Sequence, residues 1–188
     1  DDELPVFDEI LESAARLCEA PMASLGIVND AGTHVRMVAH WGDPLRFYQP
    51  GVSEFSLDGG HAGAQAILEN KVFHIEDVSD DELYRSGNSL RAEAVEKEGM
   101  RTLIVIPLTS GDRAIGNVIL FRREVRPFSP DQIALLETFA AQAVIAIENV
   151  RQFRELQTRL EREAATREIL SVISQSRDDE QPVFEVII

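Results

Sequence analysis

The chain has 188 residues, 44% of them apolar, and a formal net charge of −15. Length supports one domain with a partial second element, and the acidic balance speaks against both a nucleic-acid footprint and docking on an anionic membrane surface. One cysteine, Cys18, allows no internal disulfide and no multi-thiolate metal centre, and points to a reducing, cytoplasmic compartment.

The first signal is helical. Residues 4–20 place Val6, Phe7, Ile10, Leu11, Ala14, Leu17 and Cys18 on one stripe, and Pro21 ends it. Residues 22–29 and 35–41 read as strands joined by the turn Asp30-Ala31-Gly32-Thr33, and 42–52, with Pro44, Pro50 and Gly51, read as loop. Gly59-Gly60-His61-Ala62-Gly63 leads into a short helix through Leu68, followed by a strand over 71–75. Residues 76–99 are irregular and acidic, with a helix predicted over 90–97. Two strong strand signals follow, 101–108 and 115–122, joined by Ser110-Gly111-Asp112-Arg113.

Beyond Pro130 the character changes, because no Gly and no further Pro occurs before about Ser176. Ser129-Pro130-Asp131 is a helix start signal, and such a helix would run roughly 70 Å at 1.5 Å per residue. A small domain cannot bury that length. Its apolar face is broad at Ile133, Leu136, Phe139, Ala140, Ala143, Val144, Ile147 and Val150, wide enough to meet both the domain and a partner. It then narrows to Phe153, Leu156, Leu160 and Ala164 and resumes at Ile169, Leu170 and Ile173, interrupted by Arg167 and a register shift near Ala165. A narrow seam of this kind is a coiled-coil signal, which a parallel homodimer would cover. The most apolar run, 139–147, is broken by Gln142 and is shorter than a bilayer span. The acidic start, Asp1-Asp2-Glu3, is the reverse of a secretory leader.

The final stretch, Gln181-Pro182-Val183-Phe184-Glu185-Val186-Ile187-Ile188, nearly repeats Leu4-Pro5-Val6-Phe7-Asp8-Glu9-Ile10-Leu11. Such a repeat suggests a tandem array, in which a second module is beginning. Common helix-start chemistry, Pro followed by apolar residues, is the other reading.

Several motifs agree in order and spacing with one family. Residues 101–108 (Arg-Thr-Leu-Ile-Val-Ile-Pro-Leu), Ile115-Gly116-Asn117-Val118-Ile119 and Arg126-Pro127-Phe128-Ser129 resemble the second half of a GAF domain. Gly60-His61-Ala62-Gly63 with His74-Ile75-Glu76-Asp77-Val78 is similar to the helix–strand–loop bordering the GAF pocket. The run Phe139 to Asn149 resembles the closing helix of GAF modules in bacterial sensors, and residues 166–184 resemble the opening of a following module. The resemblance implies an α/β (α+β) fold: a twisted antiparallel sheet, N- and C-terminal helices on one face, and a small-molecule pocket on the other. It implies a GAF domain over 1–150, a signalling helix over 151–176 and a truncated second GAF module over 177–188. It also implies a regulatory role in cytoplasmic signal transduction, upstream of a histidine kinase or a cyclase, and no catalysis by this chain.

Candidate pocket residues are Trp41, Phe47, Phe55, His61, His74, Tyr84, Arg91 and Thr102, although aromatic and basic loop residues could equally plug the cavity. Candidate dimer and transmission residues are Leu136, Phe139, Ala143, Ile147, Val150, Phe153, Leu156 and Leu160. A covalent bilin would need a thiol in the pocket, whereas Cys18 is expected in the core. His34 and His40 share a strand face by simple alternation but lie roughly 20 Å apart, too far to chelate one ion. His61 and His74 alone make a weak metal or haem site. Cyclic-nucleotide-binding relatives carry an Asn-Lys pair, a Phe and an Asp-Glu pair near the last strand. The region reads Phe121-Arg122-Arg123, Phe128 and Asp131-Gln132 here, which speaks against that ligand. The glycine turn could hold an anion at a helix start, or could simply permit tight packing. A small-molecule sensor and a ligand-free dimerisation spacer both remain open.

Overall fold

Apolar residues recurring every three or four positions in 4–17 make α1 (Leu4–Leu17) in the computed structural model, which describes residues 4–45 and 49–178, with side chains over 5–45 and 49–170. The helix ends where Glu19 turns left-handed at φ 50°, and Arg126 holds the Glu19 carbonyl at 2.9 Å. Six strands follow in antiparallel pairs: β1 (Met22–Val28), β2 (His34–Gly42), β3 (Glu54–Ser56), β4 (Phe73–Ile75), β5 (Thr102–Ser110) and β6 (Arg113–Arg122). Their order across the sheet is β3-β2-β1-β6-β5-β4. Between the strands lie α2 (Ala62–Glu69), α3 (Glu82–Arg85) and α4 (Ser89–Glu96), and α5 (Pro130–Asp178) closes the described chain.

Both faces of the central strands are buried, which is why β5 and β6 read as nearly unbroken apolar runs. Leu25, Ile104, Ile106, Val118 and Leu120 join Phe7 and Leu11 of α1, Cys18 just after it, and Leu136, Ala140 and Ala143 of α5 in the first core. On the opposite face Leu103, Val105, Ile119 and Phe121 pack with Ala62 and Ala66 of α2, Ala94 of α4 and Met100. By length and composition alone α5 is apolar enough to cross a membrane, with a window of mean hydropathy 1.5. In the folded domain 22% of that window is buried, where Leu136, Ala140, Ala143 and Val144 close the first core. The chain divides into two compact units, the first ending at Ile147 and the second starting at Glu148.

Most of the expected elements are present within one to three residues of their expected ends. Short β3 and one-turn α3 carry too little periodicity to be read from sequence. The expectation that His34 and His40 share a strand face is overturned. Leu25 pairs with Ala39 and Gly26 with Met37, so Val38 is an extra residue in β2. The bulge reverses the in–out alternation: Val35 packs near α2, whereas Ala39 packs with α1. His34 and His40 therefore do not share a face. His40 instead bonds the Ser24 hydroxyl at 2.9 Å and the Asp43 carbonyl at 2.8 Å.

Gly116 shows how closely β1 and β6 approach. A Cβ there would lie 2.2 Å from the Gly26 carbonyl oxygen, a backbone atom that cannot swing aside. Gly116→Ala should cost about 2 kcal/mol by overpacking, read as a lower urea midpoint. An unchanged midpoint would show that the strands have room to part.

Candidate functional site

The pocket face holds a cavity of about 30 Å³, room for one or two water molecules. Gly59-Gly60-His61 places His61 in its lining as the N-cap of α2. The His61 Nδ1 accepts the Ala64 N–H at 3.1 Å, and its Nε2 lies 3.2 Å from the Ser56 carbonyl. Because a carbonyl can only accept, the proton resides on Nε2. Phe55 of β3 meets the imidazole edge-on, with centroids 5.8 Å apart. Across the cavity, α4 brings in Arg91, which is 7% exposed and forms an ion pair at 3.1 Å with Asp81. Asn88 caps α4 by accepting the Arg91 N–H at 3.0 Å. The remaining wall is apolar, including Leu83, Met100, Leu103 and Ile119.

Of the pocket residues named from sequence, the cavity brings together His61 and Arg91, with Phe55 against His61. Trp41 packs on the first core beneath the terminal helices. Tyr84 is half-buried on α3 and does not line the cavity. Phe47 lies outside the described residues. His74 faces the helices, where its Nε2 accepts the Phe128 N–H at 3.1 Å and its ring meets Phe128 edge-on. Thr102 is fully buried. Its hydroxyl lies 2.7 Å from the Glu76 carbonyl and 3.1 Å from that of Glu124, and accepts the Arg126 N–H at 2.9 Å. That hydroxyl ties two loops together.

Burial pushes the pKa of both His61 and His74 below the ordinary 6.5. The Ser56 carbonyl opposes this at His61 and Glu76 opposes it at His74, while Arg91 and Arg122 respectively add to it. The unfolded chain thus binds protons that the folded chain does not, so stability is full above about pH 6.5 and falls as pH drops through it. Melting at about pH 5.5 should come at a lower temperature than at about pH 7.5, and His61→Gln with His74→Gln should flatten the difference. A difference left unchanged by both substitutions would contradict this assignment.

The residue most conspicuous in the structure is one that the sequence reading did not single out. Arg122, at the end of β6, is 1% exposed. It donates to the carbonyls of Cys18 at the end of α1 and of Arg126 and Pro127 in the β6–α5 connection, and it reaches Gln132 Oε1 in the first turn of α5 at 3.4 Å. Its guanidinium lies 4.0 Å over the Phe128 ring. Burial, and then the neighbouring Arg126 charge, lower its pKa from the usual arginine value. The signal was available: Arg122 has the parity of Val118 and Leu120, and so faces the helices. Cys18, sealed beneath this cluster, has its thiol pKa raised by burial.

On α5, Leu136 and Ala143 are buried, Phe139 and Ile147 pack at the margin of the first core, and Val150 is half-buried. Phe153, Leu156 and Leu160 are 57%, 55% and 56% exposed. The candidate transmission residues therefore fall into an inward set and an outward set. Residues 179–188, which hold the near-repeat of the N-terminus, lie outside the described residues.

Known structures share this architecture. A domain assigned to a two-component sensor histidine kinase of Sinorhizobium meliloti 1021 superposes with a TM-score of 0.64 at 22% identity, covering 81% of this chain and 95% of that one. A methyl-accepting chemotaxis protein, residues 122 to 287, gives 0.67 at 20% identity, with 81% and 92% covered. A type II free methionine-R-sulfoxide reductase from Thermoplasma acidophilum gives 0.62 at 15%, with 78% and 93% covered. At these identities the likeness speaks for the fold. The family model for the GAF domain matches residues 2–147, ending where the first compact unit ends, and the chain belongs to the GAF domain family.

Proposed function

We propose that the chain is a regulatory module of a bacterial, cytoplasmic signalling protein: it senses a small molecule, pairs with a second copy through α5 and passes the state of its pocket to that helix. The observation that carries this reading is the seam of Phe153, Leu156 and Leu160, each more than half exposed, on the same helix whose start Arg122 fastens to the sheet. An apolar stripe at coiled-coil spacing is stabilised by a partner rather than by water. Charge favours a second copy as that partner. The chain carries −15 overall, yet residues 151–170 hold five Arg against four Glu, so two such segments approach with little repulsion. Similarity to sensor-kinase and chemotaxis-protein domains supports an output of that class, with a histidine kinase favoured over a cyclase and a second GAF module following. With its one thiol buried in the core, no catalysis is assigned to this chain, despite its fold similarity to a reductase.

Sedimentation velocity across micromolar concentrations tests the pairing. A dimer is expected, and a monomer at every concentration would remove the basis for transmission through α5. The small cavity favours a second reading, a spacer whose pocket is filled by its own side chains, Met100 among them. Native mass spectrometry separates the two: retained excess mass per protomer means a ligand, whereas a dimer of bare chain mass favours the spacer.

A further inference from the structure

We propose that Arg91 is the recognition residue for a carboxylate-bearing small molecule, and that Asp81 holds its place until the ligand displaces it. This rests on the reading of the module as a sensor. Arg91 is the one permanently charged side chain among the described residues lining the cavity, and it sits in a wall otherwise dominated by Leu83, Ala94, Met100, Leu103, Val105 and Ile119. A guanidinium that is 7% exposed needs an anion beside it, and its planar fork matches a carboxylate. Asp81 supplies that anion at 3.1 Å while remaining 22% exposed, so it is the looser member of the pair.

Asp81 also occupies the N-cap position of α3, where an Asp carboxylate ordinarily accepts a backbone N–H. Here it makes no such capping bond and is turned to Arg91 instead. The carboxylate thus has two alternative employments, and a ligand carboxylate on Arg91 would release Asp81 to cap α3. The same exchange makes room: a cavity of about 30 Å³ holds a water or two, so a larger ligand enters only when the segment carrying Asp81 and α3 shifts. Exchange of one carboxylate for another keeps the buried charge balanced throughout, and the displaced Asp81 returns toward solvent.

The test uses melting of the whole chain in sodium acetate and sodium formate against sodium chloride at equal ionic strength. Wild type should melt a few degrees higher in the carboxylate salts, Asp81→Asn should respond more strongly because the competitor is gone, and Arg91→Met should not respond. Arg91→Lys, which keeps the charge but loses the fork, guards against a folding defect in Arg91→Met and should need about tenfold more acetate for the same shift. An equal response in wild type and both Arg91 variants would overturn the proposal while leaving the sensor reading intact, since the anion would then bind elsewhere. No response in wild type or in Asp81→Asn would also overturn it. The sensor reading itself falls only if native mass spectrometry of the purified chain shows no retained mass as well.

Discussion

Arg122→Met should lower the melting temperature by roughly 6–12 °C, corresponding to about 3 kcal/mol in a domain of this size. Methionine fills much of the same volume but donates no hydrogen bond. The carbonyls of Cys18, Arg126 and Pro127 would lose the guanidinium, and a buried acceptor left unsatisfied costs about 1–3 kcal/mol. Loss of the cation from the Phe128 face adds up to about 2 kcal/mol. Relief of the guanidinium's own desolvation offsets part of this, and Gln132 Nε2 continues to donate to the Cys18 carbonyl at 3.2 Å. Net destabilisation near the middle of the range follows. Arg122→Lys retains charge without the fork and should fall between wild type and methionine. Melting followed by circular dichroism reads both. A methionine variant as stable as wild type would show that the three carbonyls find other donors, and that β6 and α5 are not fastened here.

The second large effect concerns association. Leu156→Asp with Leu160→Asp should raise the dimer dissociation constant by about four orders of magnitude. Each leucine contributes roughly 1.5 kcal/mol or more when its half-exposed side chain is covered, and a symmetric pair covers four of them. About 6 kcal/mol corresponds to about 10⁴ in the constant, before the cost of burying the new carboxylates is added. The domain should be untouched, because both side chains are more than half exposed in a single chain and belong to the second compact unit. Sedimentation velocity should give a monomer at all micromolar concentrations, with an unchanged melting temperature. A persisting dimer would place the interface on another surface.

The fold was legible where periodicity was long. The stripe of Phe7, Leu11 and Cys18, the paired runs of β5 and β6, and the Gly-free stretch beyond Pro130 each announce an element and the side it buries. Two short elements were not legible: β3 has three residues and α3 four, too few for a period to repeat, whereas the equally short β4 stood out as an apolar run after α2. The bulge at Val38 was invisible for a different reason. Its cause is the register against Leu25 and Gly26, a relation between strands that no single segment encodes. The candidate site divides along the same line. His61 was marked by a local signature, the glycine turn opening a helix, and it does stand at the cavity. Thr102, His74 and Trp41 are pocket candidates by sequence, but Thr102 has the parity of Ile104 and Ile106, His74 pairs with Ile104, and the bulge shifts Trp41, so all three turn toward the helices. Strand alternation alone marks Arg122, since a guanidinium in phase with Val118 and Leu120 must find acceptors inside the core. Asp81 could not, because its pairing with Arg91 depends on how an irregular acidic segment folds back.

Cysteine cross-linking across the seam tests the central claim most directly. In a Cys18→Ala background, which leaves no other thiol, Leu160→Cys places one sulfur at a seam position. In-register parallel helices bring the two copies of that residue within disulfide reach, a Cα separation of about 4.4–6.8 Å. Mild oxidation should convert most of the chain to a covalent dimer on a non-reducing gel, while Glu161→Cys, one residue off the seam, should cross-link poorly. Equal cross-linking at both positions, or none at Leu160→Cys, would contradict a paired α5 and with it the route proposed from pocket to output.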